Sequence, residues 1–153
     1  MASVVNDLKL YGFLNLLAEV TIAFHPDGEG GDETFLLWES VLKSIQENSL
    51  DFGQCLLDFL KLTGFAMNFS TCLECKSTLF STPIVFDPER GGVLCGACVS
   101  HKVVSQWQIR EEHNTEKLCS DDVVRVLCLA IERQLQRPLK SYAFLKAFLQ
   151  QAA

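Results

Sequence analysis

Apolar residues recur at helical spacing from near the start of the chain. Leu10, Phe13, Leu14, Leu17, Val20 and Phe24 fall on successive turns, and further apolar residues fill much of the remaining circumference. The pattern predicts a helix over 7–24 that lies at the centre of a core rather than on its surface. His25-Pro26-Asp27-Gly28-Glu29-Gly30-Gly31 ends it in a polar loop. A second helix is predicted from Asp32 to Asn48, with Phe35, Trp38, Val41, Leu42 and Ile45 on one side. Asp32 and Glu33 in its first turn suit the positive end of the helix dipole. A third runs from Asp51 to Thr63 on the stripe Phe52, Cys55, Leu56, Phe59 and Leu60, with Gly64 as its stop.

The period then changes. Residues 69–100 hold Pro83, Pro88, Gly91, Gly92 and Gly96 and no helical stripe. Ile84-Val85-Phe86 and Gly92-Val93-Leu94 read as two short strands of a β-hairpin turning through Asp87–Gly91. Helical spacing returns at Val123, Val124, Leu127, Ile131 and Leu135, with Ser120 as N-cap and Asp121 and Asp122 in the first turn. Pro138 marks the start of a last helix through Leu139, Phe144, Leu145, Phe148 and Leu149. Between these, a short helix is assigned near 103–112. The expected fold class is mainly α: a helical bundle with an inserted four-cysteine zinc ribbon or knuckle that bears a short β-hairpin. Its parts are N-terminal helices over 1–68, a zinc-binding insertion over 69–100, and C-terminal helices over 101–153 that complete the bundle.

The chain has 153 residues and is 48% apolar, enough for one compact domain that needs no disulfides. Its net charge of −6 argues against a generic electrostatic nucleic-acid binder. Basic residues outnumber acidic ones only after residue 100, so the C-terminal third alone can attract an anion. The apolar N-terminus lacks a signal-peptide pattern, and no run approaches the roughly 18 uncharged apolar residues that a membrane span needs. Seven cysteines in such a chain imply reduced thiols or metal ligands in a cytoplasmic setting.

Four of them form two Cys-x-x-Cys pairs, Cys72/Cys75 and Cys95/Cys98. Two intervening residues let the chain turn tightly and aim both sulfurs at one point. Two such turns at the ends of a hairpin supply the closed sulfur tetrahedron of structural Zn2+. Four sulfurs leave no open position for water or substrate, which counts against a metalloenzyme. Cys55 and Cys128 lie on apolar helix faces as small core residues. Cys119 and the histidines His25, His101 and His113 offer no convincing Cys-His dyad. No catalytic residue is assigned, and the chain is not expected to be an enzyme.

In order, the residues are an apolar helical hairpin, Phe59-Leu-Lys-Leu-Thr-Gly-Phe65, the first cysteine pair, Phe86, Gly91-Gly92, the second pair, and Arg137-Pro138-Leu139-Lys140-Ser141 before Phe144-Leu145. This succession resembles the RecO recombination-repair family in its helical, zinc-bearing part. The resemblance spans nearly the whole chain but only the later two-thirds of a usual member; the N-terminal OB-fold has no counterpart in it. Lys76 stands where the family commonly has Gly, and Val99 to Ser120 is short and polar for the family's helices. The resemblance implies a recombination mediator in bacterial DNA repair. It would act with RecR to load recombinase on single-stranded DNA coated by single-strand-binding protein, and would aid strand annealing. DNA would be held mainly through the OB-fold, and the helical part would receive the acidic C-terminal tail of single-strand-binding protein.

Arg125, Arg133, Arg137 and Lys140 fall within about 120° on a helical count, and an acidic tail ending in an aromatic residue needs cations beside an apolar slot. Arg133, Arg137 and Lys140, with Leu139 and Phe144 as the slot, are the candidate partner-binding residues. The alternative is a stand-alone zinc-ribbon nucleic-acid-binding or regulatory protein, disfavoured because Glu74, Asp87 and Glu89 offset the cations near the knuckle.

Overall fold

A computed structural model describes residues 2–25, 31–78, 81–99, 108–110 and 119–149. Five helices and one small sheet make up these residues: α1 (Ala2–Phe24), α2 (Asp32–Gln46), α3 (Phe52–Leu62), β1 (Asn68–Cys72), β2 (Ile84–Asp87), β3 (Gly92–Leu94), β4 (Gln108–Arg110), α4 (Ser120–Leu135) and α5 (Lys140–Leu145). The chain is mainly helical with a sheet-bearing insertion, as the pattern predicts.

α1 packs on α5, α3 on α4, and α2 on α3. Phe13, Leu16, Leu17 and Val20 of α1 meet Leu56 and Phe59 of α3 and Leu127 of α4 in a core where each of these side chains is fully buried. Phe13 stacks on Phe52 with ring centroids 4.3 Å apart. Lys9 spans from α1 to the start of α4, where both oxygens of Asp121 accept from its ammonium at 2.7 and 2.8 Å. α3 begins where expected: the Asp51 side chain accepts from Gln54 N–H at 3.0 Å, and after the helix Gly64 adopts φ +88°, a left-handed conformation open to glycine at little cost.

The elements depart from the sequence reading in several places. Ser120 is not the N-cap of α4; Cys119 holds that position, and the Asp122 carboxylate accepts from the Cys119 N–H at 3.4 Å. The Ser120 hydroxyl instead accepts from Gly53 N–H at 2.8 Å, capping α3 from the neighbouring helix. The helix assigned near 103–112 is a strand over 108–110; the remainder of that assignment lies outside the described residues. Gln136, at φ +53°, ends α4, and α5 begins at Lys140 rather than Pro138. Two of the five apolar residues that share one side of α2, Phe35 and Leu42, are 68% and 56% exposed. The helix buries only Thr34 and Val41, because α3 covers just one edge of it.

The sheet runs β1-β3-β2-β4. β2 and β3 form the expected antiparallel hairpin, with Phe86 opposite Val93. The Asp87 carboxylate accepts from the N–H groups of Glu89 and Arg90 and so fixes its turn. β1 lies parallel to β3, and β4 pairs antiparallel with β2.

Candidate metal centre

Each Cys-x-x-Cys pair sits in a turn at the end of a strand: the first starts on Cys72, the last residue of β1, and the second follows β3. Because these two strands run side by side in the same direction, the turns meet at one end of the sheet. The first turn is closed by Lys76 N–H on the Cys72 carbonyl at 3.1 Å and by Cys72 N–H on the Ser77 carbonyl at 3.0 Å. The second is closed by Cys98 N–H on the Cys95 carbonyl at 2.9 Å. Leu73 N–H donates to the Val93 carbonyl at 2.9 Å and joins the two turns. Gly96 is required by a close approach, since a Cβ there would run into the Thr82 carbonyl; its own N–H donates to the Ser81 carbonyl at 2.6 Å.

The four sulfurs of Cys72, Cys75, Cys95 and Cys98 all lie within 4.8 Å of one another. Cys75 Sγ is 3.7 Å from Cys95 Sγ, and Cys95 Sγ is 3.6 Å from Cys98 Sγ. A tetrahedron of sulfurs about 2.3 Å from a central zinc has edges of about 3.8 Å. The donor set therefore fits a metal ion bound by sulfur alone. Cys72 and Cys95 are buried, Cys98 is half-buried and Cys75 is exposed, so the centre sits at the rim of the sheet with one side toward solvent.

The electrostatics favour a thiolate at its inner corner. Burial opposes ionisation of Cys72, but N–H groups of Cys95, Cys75 and Glu74 outweigh it and hold the thiol down at about 6. The Cys95 N–H lies 3.4 Å from the Cys72 sulfur. Cys98, hydrogen-bonded to the Cys95 sulfur and facing the other thiols, is pushed up to about 12. Ionising all four sulfurs at these spacings requires a cation among them. Cys55 and Cys128 behave as core residues: burial pushes Cys55 up to about 12 and raises Cys128 well above the usual thiol range.

Lys76 adopts φ +60° at the close of the first turn, the left-handed conformation implied by the glycine that the resemblance places there. A side chain in that region costs roughly 1–2 kcal/mol, and here its ammonium recovers a contact with the Leu73 carbonyl at 2.7 Å. Lys76→Gly should therefore raise stability by up to about 1 kcal/mol and the melting temperature by about 2–4 °C. Differential scanning calorimetry of the two proteins checks this; a lower melting temperature for the glycine variant would show that the Leu73 contact outweighs the backbone strain.

The candidate partner-binding residues are not brought together as one stripe. α4 ends at Leu135, so the helical count that aligned Arg133 with Arg137 and Lys140 breaks between them. Arg133 faces Glu89 of the β2–β3 turn at 3.8 Å, whereas Arg137 faces Glu19 of α1 at 3.2 Å. Leu139 is 1% exposed and belongs to the core, so it offers no slot for a partner. Phe144 is 42% exposed and packs edge-on to Tyr11 of α1. Arg125 lies 3.8 Å from Asp122.

The sequence reading missed the two carboxylates that organise the Arg137–Ser141 phrase. Glu19 accepts from the N–H groups of Lys140 at 3.2 Å and Ser141 at 2.9 Å as well as from Arg137, and Glu132 accepts from Leu139 N–H at 2.8 Å. The phrase is thus a helix start held from two sides. No local signal announces Glu19, which lies more than 115 positions from its partners.

A helical domain carrying a four-cysteine knuckle, with its ligands on two Cys-x-x-Cys turns, is the class that fold and site define. Residues 5–121 match the family model described as Recombination protein O C terminal, and the chain belongs to that family. It is similar to the DNA repair protein RecO of Pelotomaculum thermopropionicum, 25% identical over 97% of this chain and 65% of that one. It is also similar to the DNA repair protein RecO of Dehalococcoides mccartyi, 22% identical over 88% of this chain and 54% of that one. The chain thus spans less than two thirds of the length of these relatives. No solved structure matches it. Among the described residues, no helix is long and apolar enough to cross a membrane.

Proposed function

We propose that the chain is the helical, zinc-bearing part of a recombination mediator in bacterial DNA repair, acting in the cytoplasm with RecR and single-strand-binding protein. The observation that carries this reading is the family match over residues 5–121, which includes both halves of the cysteine cluster. Cys72, Cys75, Cys95 and Cys98 would hold a structural Zn2+, which when bound neutralises the thiolates and locks the two turns together. A closed sulfur site supports a scaffolding and docking role over bond-breaking catalysis. Among the described residues, two of the cations around the knuckle face carboxylates, Arg90 with Glu74 and Arg133 with Glu89, which favours the mediator over a stand-alone nucleic-acid-binding ribbon. In this reading single-stranded DNA is held mainly by the family's OB-fold.

With Leu139 in the core, the slot for the tail of single-strand-binding protein moves. Arg133 stands at the lip of a cleft of about 260 Å³ lined by Phe24, Phe65, Met67 and Ile131. A terminal aromatic ring fits such a lining; Glu89 lines the same cleft and faces Arg133 at 3.8 Å, so the acidic residues beside the ring would have to take Arg133 over from Glu89. The test pairs calorimetric titration of a tail peptide with the rate of recombinase assembly on strands coated by single-strand-binding protein, RecR being present. Arg133→Glu should weaken peptide binding roughly tenfold or more and slow assembly, and added salt should weaken the wild-type complex. Equal affinity of wild type and variant, or binding indifferent to salt, would refute the site.

A further inference from the structure

The outer face of α1 is unlike an ordinary exposed helix surface. Leu8, Tyr11, Asn15, Ala18 and Ile22 follow at spacings of three and four residues and form one stripe over four turns. Leu8, Tyr11 and Ile22 are 39%, 61% and 70% exposed, and no charged residue interrupts the stripe. Of the helix's three charges, Lys9 pairs with Asp121 and Glu19 holds the start of α5, while the exposed Asp7 borders both the stripe and the cleft that α1 forms with the starts of α3 and α4. Phe144 leans on Tyr11 from α5 and widens the stripe.

We propose that this face is where two copies of the chain pair, α1 against α1 in antiparallel sense about a two-fold axis at Asn15. The stripe is self-complementary about that residue. Leu8 of one copy then faces Ile22 of the other, and the large Tyr11 faces the small Ala18, as an isologous interface requires. Charge points the same way: in a chain of net charge −6, a neutral face is where two copies can meet without repulsion. From their exposure, Leu8, Tyr11, Ile22 and Phe144 offer on the order of 400 Å² per copy, about half of the ~800 Å² that each partner gives in a standard interface. A contact of that size corresponds to a weak, transient pairing rather than an obligate dimer.

Sedimentation of the whole chain from low to high micromolar concentration tests the pairing. The mass should rise from 17.1 kDa toward twice that value. Tyr11→Glu and Ile22→Glu, both at exposed positions and checked for intact folding by circular dichroism, should each weaken association roughly tenfold or more by placing a charge in the interface. Phe35→Glu, on the exposed edge of α2, should leave it unchanged. Asn15→Cys should give a disulfide-linked dimer on mild oxidation, because its sulfur meets its own copy at the axis, whereas Gln54→Cys on α3 should not. A chain that stays monomeric throughout, or a dimer that both glutamates leave intact, overturns the proposal.

Discussion

Cys75→Ser will empty the metal centre although its sulfur lies on the surface. In the absence of a metal, serine at an exposed position costs within about 0.5 kcal/mol, as surface substitutions generally do. If Cys75 is the fourth ligand, the same change removes a corner of the tetrahedron, and metal content should fall from about one ion per chain to near zero. Structural zinc contributes roughly 10–16 kcal/mol in small metal-folded modules, so its loss should unfold the sheet. Packing of α1 on α5 and of α3 on α4 does not involve the knuckle, and most of the helical circular-dichroism signal should persist. Elemental analysis and X-ray absorption give the direct reading: one zinc with four sulfurs at about 2.3 Å in the wild type. Metal-free protein from a chelator-free preparation, or unchanged metal content in Cys75→Ser, would defeat the assignment.

The metal cluster was legible because its signal is local. Two Cys-x-x-Cys spacings, Gly91-Gly92 and an Asp-Pro turn name both the turns and the hairpin between them. In the structure the segments leading into the two pairs run side by side in the same direction, the parallel pairing of β1 with β3, and this brings both turns to one end of the sheet. Residues 68–72 lack apolar alternation, so periodicity does not mark them as a strand, and β1 was not legible in the sequence. The helical stripes of α1, α3 and α4 were legible for the same local reason. What periodicity cannot tell is whether another element covers a face. Phe35 and Leu42 share a stripe with Trp38 and Val41, but α3 reaches only part of it, and the outer stripe of α1 has the composition of a core face while lying at the surface. Polar contacts across the whole chain were silent too. Ser120 suits an N-cap by type and serves as one for α3 rather than for its own helix. The Arg137–Ser141 phrase presents basic residues to the eye, yet its N–H groups are directed at carboxylates that sequence gives no reason to place beside it.

Glu19 should accordingly be worth more to the fold than its position suggests. Its side chain is 17% exposed and accepts from two backbone N–H groups and the Arg137 guanidinium. Hydrogen bonds to a charged group contribute about 1.5–3 kcal/mol, and Glu19→Ala would leave the N–H groups of Lys140 and Ser141 without their acceptor. The expected loss is roughly 2–3 kcal/mol, or about 5–10 °C in melting temperature, with α5 loosened from α1. Acid should act in the same direction. Burial by itself would raise the Glu19 carboxyl, but the Ser141 N–H and hydroxyl, the Lys140 N–H and Arg137 outweigh burial and hold it below the ordinary carboxylate value. A carboxyl depressed by folding stabilises above its unfolded pKa, about 4.3, and loses that contribution as the pH falls through the lower folded value. Wild-type stability should therefore decline below about pH 4 by a component that Glu19→Gln lacks, so the two denaturation midpoints should converge in acid. Parallel pH profiles for wild type and Glu19→Gln, or a Glu19→Ala protein that melts with the wild type, would mean that the start of α5 holds without this carboxylate.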